Sequence, residues 1–170
     1  MSKISKCLLF MLCISLSACN HENKYQTGNY NMEINMYSQC KVNFNTGVIS
    51  VLVKEDSTYR DTIEFSKEER SAIAEAFNKR KMFELKGHYA YAGDIVIMPP
   101  STIDIKIFAG NKPKGEIRVF YDAEINKWFP FGTRYNVIKF TDELKKLIES
   151  KKEYKIAQQV SVKSSRGFLL

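Results

Sequence analysis

The 170-residue sequence predicts an α+β domain, in which an antiparallel sheet of about six strands, mostly connected by hairpins, has two helices packed on one face. Three observations lead to this prediction. Apolar and polar residues alternate with a period of two in residues 30–65 and again in residues 102–121, as in strands with one buried face. A helix-capping sequence lies between these two stretches. A second segment with apolar residues at helical spacing follows them.

The first alternating stretch contains four strand candidates. Short polar segments separate them, and the segment at 45–47 contains Gly47, which favours a tight hairpin loop because glycine readily adopts positive φ angles. Strands this close in the sequence are most simply connected as antiparallel hairpins. The predicted strands are 30–36, 42–44, 48–53 and 59–65.

The first predicted helix begins with a capping box. Ser66 is placed to cap the backbone, and Glu69 stands three residues later, where its side chain can reach back. The helix is expected to continue to about residue 81 and to place Ile73 and Phe77 against the sheet.

The second half contains two more strands, 102–108 and 117–121, joined by a turn at 110–115. Long loops are predicted on either side, at 86–101 and 122–134. The second helix is expected from about Tyr135 to Lys155, although Thr141 is also a plausible N-cap. Residues 30–155 are thus expected to form one domain, followed by a flexible basic tail, 156–170.

The first 19 residues have the pattern of a secretory signal. Two lysines precede an apolar run of about ten residues, which is shorter than the roughly 20 that span a membrane as a helix. The segment Leu16-Ser17-Ala18-Cys19 resembles the lipobox of bacterial lipoproteins at every position. With the polar segment that follows, the chain resembles the small single-domain lipoproteins of bacterial envelopes.

This resemblance implies that residues 1–18 are a signal peptide and that the Cys19 thiol receives a diacylglycerol. Residues 19–29 would then be the lipidated cysteine and a polar tether. Acyl chains such as palmitate would hold the protein to the cell envelope, because two or more chains anchor stably. Asn20 is not the aspartate that retains some lipoproteins in the inner membrane, so the outer membrane is favoured.

Without residues 1–18, 24 basic and 19 acidic residues remain, and residues 134–170 hold nine of the basic and four of the acidic ones. This basic segment is expected either to contact an anionic partner or to form a solvated helix face. The exported location disfavours nucleic acid. Cys40 is the one cysteine left after processing and lipidation, and it is expected to be a small buried residue.

The sequence contains no motif for a metal, a cofactor or a nucleophilic catalyst, and none of these is expected. Asp104 and Glu116 are expected to face outward from a solvated sheet face. The leading hypothesis is non-enzymatic binding of an envelope protein or glycan through aromatic residues in the two long loops, since exposed aromatic side chains offer stiff contact area. These candidates are His88, Tyr89 and Tyr91 in the first loop, and Trp128, Phe129 and Phe131 in the second.

Three alternatives remain open. The aromatic residues of the second loop could instead fill the core beneath the second helix. The protein could be a structural or assembly lipoprotein that contacts a membrane or partner through its basic C-terminal helix. A hydrolase centred on His88 would require a cleft that also holds Asp94 and a nucleophile.

Overall fold

The computed structural model describes residues 30–54, 57–93, 101–125 and 130–166. The lipobox and the polar tether lie outside these residues. The fold is α+β, as predicted, but it contains seven strands and three helices. The strands are β1 Tyr30–Met36, β2 Cys40–Asn43, β3 Val48–Lys54, β4 Ser57–Thr62, β5 Gly87–Tyr91, β6 Thr102–Ala109 and β7 Lys112–Phe120. The helices are α1 Lys67–Lys79, α2 Gly132–Ser150 and α3 Lys152–Arg166, with a 3₁₀ turn at Met82–Glu84.

The seven strands form one sheet in the order β4-β3-β2-β1-β6-β7-β5. The first four strands are consecutive antiparallel hairpins, as predicted. Strand β6 pairs with the free side of β1, and β7 returns antiparallel to β6. The strands of the two halves of the chain therefore form a continuous sheet, with β1 and β6 at its centre.

Strand β5 corrects the predicted loop at 86–101 and the prediction of an all-antiparallel sheet. It pairs parallel to β7, with Gly87 opposite Gly115 and Tyr91 opposite Val119. Five residues are too few to establish a clear period. Its hydrogen-bonding partner also lies beyond the whole of β6, so no local pattern marks this pairing.

The core lies between one face of the sheet and the helices. In β1, Met32, Ile34 and Met36 are fully buried and alternate with polar residues, which is the predicted pattern. Phe77 of α1 and Phe140 of α2 pack edge to face over this layer, with ring centroids 5.8 Å apart. Each such side chain contributes about 1.5–3 kcal/mol by burial. The prediction that the helices pack on one face of the sheet is confirmed for the described residues.

Helix α1 begins as predicted. The Glu69 backbone N–H donates to Ser66 Oγ at 3.2 Å, and the Ser66 N–H donates to Glu69 Oε2 at 2.8 Å. The helix ends at Lys79, two residues before the expected end, and Lys81 has a left-handed backbone conformation.

The predicted second helix is two helices. It begins at Gly132, close to the expected Tyr135, whereas Thr141 is a buried residue inside α2. Lys151 has an extended backbone, with φ −79° and ψ 138°, and it separates α2 from α3. Helix α3 then continues to Arg166, so residues 156–166 are helical where a flexible tail was expected. No glycine or proline marks the break, and the sequence therefore gave no sign of it.

The side chain of Lys151 connects this break to α1. Its Nζ lies 2.6 and 2.7 Å from the two Glu69 carboxylate oxygens, and it donates to the Glu64 backbone carbonyl at 3.1 Å. The Lys151 ammonium group and the capping hydrogen bond lower the pKa of Glu69. Glu69 therefore caps α1 and also holds the junction of α2 and α3.

We expect the ionisation of Glu69 to make the free energy of unfolding depend on pH. Because its pKa is lowered by folding, its contribution is present above the unfolded-state value of about 4.3 and is lost as the pH falls through the folded-state value. Glu69→Gln should therefore lower the free energy of unfolding at pH 7, and the deficit should shrink at pH 3. Urea denaturation at both pH values measures this difference.

The control is Glu75→Gln, which changes an exposed glutamate on the same helix. It should leave stability nearly unchanged at both pH values. A deficit for Glu69→Gln that stays constant between pH 7 and pH 3 would contradict the role of its charge.

Candidate functional site: the open face of the sheet

The face of the sheet opposite the core is not covered by any described helix. The side chains that point away from the buried residues of the central strands are mostly polar, and several are charged. They come from the intervening positions of each strand, which the pleat places on the opposite face. We call this surface the open face. Its central residues are Glu33, Asn35, Lys41, Asn43, Ser50, Asp104, Lys106, Glu116 and Arg118.

The middle of the open face is concave. A groove of about 440 Å³ lies over β3, β2, β1, β6 and β7. A second groove of about 450 Å³ continues it towards Gly87 and His88 of β5. The two grooves share Lys106 and Glu116, so we treat them as one trough that crosses the strands.

Glu33, Lys106 and Glu116 place charges of alternating sign in one register row across the trough, and His88 lies at the end of this row. Glu33 lies opposite Lys106, Lys106 lies opposite Glu116, and Glu116 lies opposite His88. Directly opposed residues in paired strands have their Cβ atoms about 4.5–5.5 Å apart, so neighbouring charges are close. His88 Nδ1 is 2.9 Å from Glu116 Oε2 at the edge of the sheet.

An ion pair lies beside this row in the trough wall. Arg118 Nε donates to Asp104 Oδ1 at 2.7 Å, and Arg118 Nη2 donates to Asp104 Oδ2 at 3.3 Å. Asp104 is buried, whereas half of the Arg118 side chain is exposed. The hydrogen bonds and charge of Asp104 raise the pKa of Arg118. The guanidinium group is therefore a fixed positive charge in the trough wall.

Other charges of the trough form no direct ion pair with any described residue. Across residues 30–54, 57–93, 101–125 and 130–166, Glu33, Lys41 and Lys106 form no ion pair. One acid and two bases are thus left to interact with water or with a bound molecule. The arrangement suits a ligand that carries both a cationic and an anionic group.

The aromatic candidates of the first predicted loop lie in β5 and face both sides of the sheet. His88 points to the open face with Glu116, whereas Tyr89 and Tyr91 are partly buried against the core. Burial raises the pKa of Tyr91. The three residues therefore do not form one exposed aromatic surface.

Of the second aromatic group, Trp128 and Phe129 lie outside the described residues. Phe131 immediately precedes α2 and is 70% exposed. The first turn of α2 does approach β5, because the Arg134 guanidinium lies 5.5 Å from the Tyr91 ring centroid and donates to the Ala92 carbonyl at 2.9 Å. The start of α2 and the end of β5 are therefore neighbours.

The sequence predicted only part of the open face. Asp104 and Glu116 were expected to face outward on a solvated sheet face, and both belong to the open face, but Asp104 is buried there against Arg118. The alternation of Asp104 with Lys106, and of Glu116 with Arg118, was the signal for two polar strand faces. Their assembly with Glu33 and Lys41 depends on the order of strands, which alternation alone does not give.

Cys40 cannot act with His88. It is 1% exposed and belongs to the core face, whereas His88 belongs to the open face. Burial raises the pKa of its thiol to about 11. Because the thiolate is the nucleophilic form, this residue is a small core side chain, as expected. Within the described part of the chain, no three His, Cys, Asp or Glu side chains are grouped as a metal site would require.

No family model matches the chain, and neither a curated protein nor a solved structure matches it. None of the described helices is both long and apolar enough to cross a membrane.

The burial of Cys40 predicts a very low reactivity of its thiol. With a pKa of about 11, roughly one thiol in a thousand is ionised at pH 8, and the reagent must also reach it through the core. Iodoacetamide should modify Cys40 in the native protein at least a hundredfold more slowly than in 6 M guanidinium chloride, by an order-of-magnitude expectation. Mass spectrometry of the peptide that contains Cys40 measures both rates. Equal rates in the two conditions would contradict the burial.

Proposed function

We propose that this protein is a lipid-anchored cell-envelope protein that binds an extended polypeptide in the trough of its open face. The anchor and the location are supported by the lipobox resemblance of residues 16–19. The binding role is supported mainly by one observation: a sheet face that no described helix covers, with a groove in which charges of both signs form no direct ion pair.

The dimensions of the trough favour a chain over a small molecule. It extends from β3 to β5 across six neighbouring strands. Adjacent strands are about 4.8 Å apart, so the trough is roughly 24 Å long. An extended polypeptide advances about 3.4 Å per residue, and about seven residues would fill this length.

The chemistry of the trough favours a polypeptide over a glycan. Glycan sites commonly offer aromatic side chains as stacking platforms, and the trough lining contains Phe108 and the imidazole of His88 but no Tyr or Trp. The remaining lining offers carboxylate, ammonium, guanidinium and amide groups. A peptide with acidic and basic side chains can pair with Lys41, Lys106 and Glu33.

Binding is favoured over hydrolysis for a chemical reason. The His88 side chain is 83% exposed at the sheet edge and contacts the carboxylate of Glu116, whereas a hydrolase site holds its catalytic base in a cleft that excludes water. The thiol of Cys40 is buried on the other face. Asp94, the third candidate of the hydrolase hypothesis, lies outside the described residues.

Selection from a library of random seven-residue peptides tests this proposal. We expect the peptides retained by the protein to contain both acidic and basic residues. Lys41→Gln/Lys106→Gln should weaken their binding about tenfold, because each exposed charge contact contributes roughly 0.7 kcal/mol. Binding should also weaken with added salt, since the trough is open to solvent.

The matched control is Lys67→Gln/Lys146→Gln, which removes two exposed lysines from α1 and α2. It changes the net charge by the same amount but leaves the trough intact, so binding should stay as in the wild type. If both double variants lost the same amount of peptide affinity, the loss would be an effect of net charge and not of the trough. Selection of aromatic-rich peptides that bind all three proteins equally would contradict the trough as the site.

A further inference from the structure

Helix α3 presents a basic face to solvent. Its buried residues are Tyr154, Ala157 and Ser161, and they fix the side that packs on the sheet. Contacts of α3 are concentrated on β3, with fewer on β4 and β2. The opposite side is exposed, and we call it the α3 outer face: Lys155, Ile156, Gln159, Val162 and Lys163.

The spacing places these five residues on one stripe. They stand three, four and seven positions apart, which brings side chains to the same side of an α-helix. Lys155 and Lys163 are eight residues apart, so their charges are separated by about 12 Å along the helix axis. The stripe is long enough to contact a flat surface at more than one point.

The α3 outer face contains no acid. The one acidic residue of α3 is Glu153, which is largely buried and lies beside Lys152 at 3.7 Å. The nearby acids Asp61 and Glu64 line one groove with Lys152 and Ile156, so they border the outer face at its N-terminal end. From Lys155 onward, the positive charge of the exposed helix surface is therefore not compensated by its own acidic side chains.

Two apolar side chains lie between and beside these lysines. Ile156 is 46% exposed and Val162 is 40% exposed, although both belong to a helix whose other side is well packed. Lysines mixed with exposed aliphatic groups on one helix face are typical of helices that lie in the headgroup region of a membrane. The lysines meet the phosphates, and the aliphatic groups enter the region just beneath them.

We propose that the α3 outer face docks on an anionic phospholipid surface. The inference goes beyond peptide binding in the trough and rests only on the proposed envelope location. Because α3 packs on the core face of the sheet, docking through it would turn the open face away from the lipid. The trough would then stay accessible while the domain rests on the membrane.

Chemical footprinting tests this inference. The protein purified from bacterial cells is mixed with vesicles of phosphatidylcholine alone, or with three parts phosphatidylcholine to one part phosphatidylglycerol. Lysines are then acetylated briefly, and each modified site is measured by mass spectrometry. Lys155 and Lys163 should react about fivefold more slowly on the anionic vesicles. This factor corresponds to the free energy of attraction between one lysine and an anionic membrane surface.

The comparison lysine is Lys106, which is exposed in the trough on the other face of the sheet. Its acetylation should be the same on both kinds of vesicle. In 0.5 M salt, the protection of Lys155 and Lys163 should disappear, because the Debye length falls to about 4 Å. Ile156→Ser should reduce the protection at low salt without changing the fold.

Three results would overturn the docking proposal. The first is equal acetylation of Lys155 and Lys163 on both kinds of vesicle. The second is protection of Lys106 in their place. The third is protection by a soluble polyanion such as inorganic polyphosphate but not by anionic vesicles. The same mass spectra report whether Cys19 carries lipid, so failure of docking and failure of the anchor are distinguished.

Discussion

The structure depends on the two-residue period of its central strands. In residues 31–36 of β1 and 102–107 of β6, every second side chain is apolar and buried beneath the helices, and the side chains between them are polar. A shift of one residue in the pairing would move charges such as Glu33 and Lys106 into the core, which has no partners for them. The same period that builds the core therefore also fixes the charges of the trough.

The two-residue period gives the two faces of the sheet different roles. The helices bury one face and are themselves joined by Lys151 and Glu69, so that face serves stability. The open face can remain exposed to solvent because water hydrates its charged side chains. One of its ion pairs, between Asp104 and Arg118, is already formed within the domain. The charges around that pair that form no direct ion pair can bind a ligand without any change in the core. A ligand can therefore bind there without remodelling the domain.

Features with a local cause were predictable from the sequence. The capping box of Ser66 and Glu69 lies within four consecutive residues, so the sequence predicts it directly. The alternation of apolar and polar residues in 30–36 and 102–108 identifies two half-buried strands. Features with a distant cause were not predictable. Strand β5 exists because β7 pairs with it, and the break at Lys151 is accompanied by contacts to Glu64 and Glu69, which belong to another part of the chain. The trough also has a distant cause, because its row of charged residues forms only when the strands lie in the observed order.

Site-specific photo-cross-linking in living cells tests the central claim that the open face is the binding surface. A photoreactive amino acid would replace Lys106 in the trough, or Phe131 at the start of α2, and each variant would be checked for normal folding. We expect a covalent adduct with a polypeptide from position 106 and none from position 131. An adduct from position 131 alone would return the binding site to the aromatic segments and contradict the assignment to the open face.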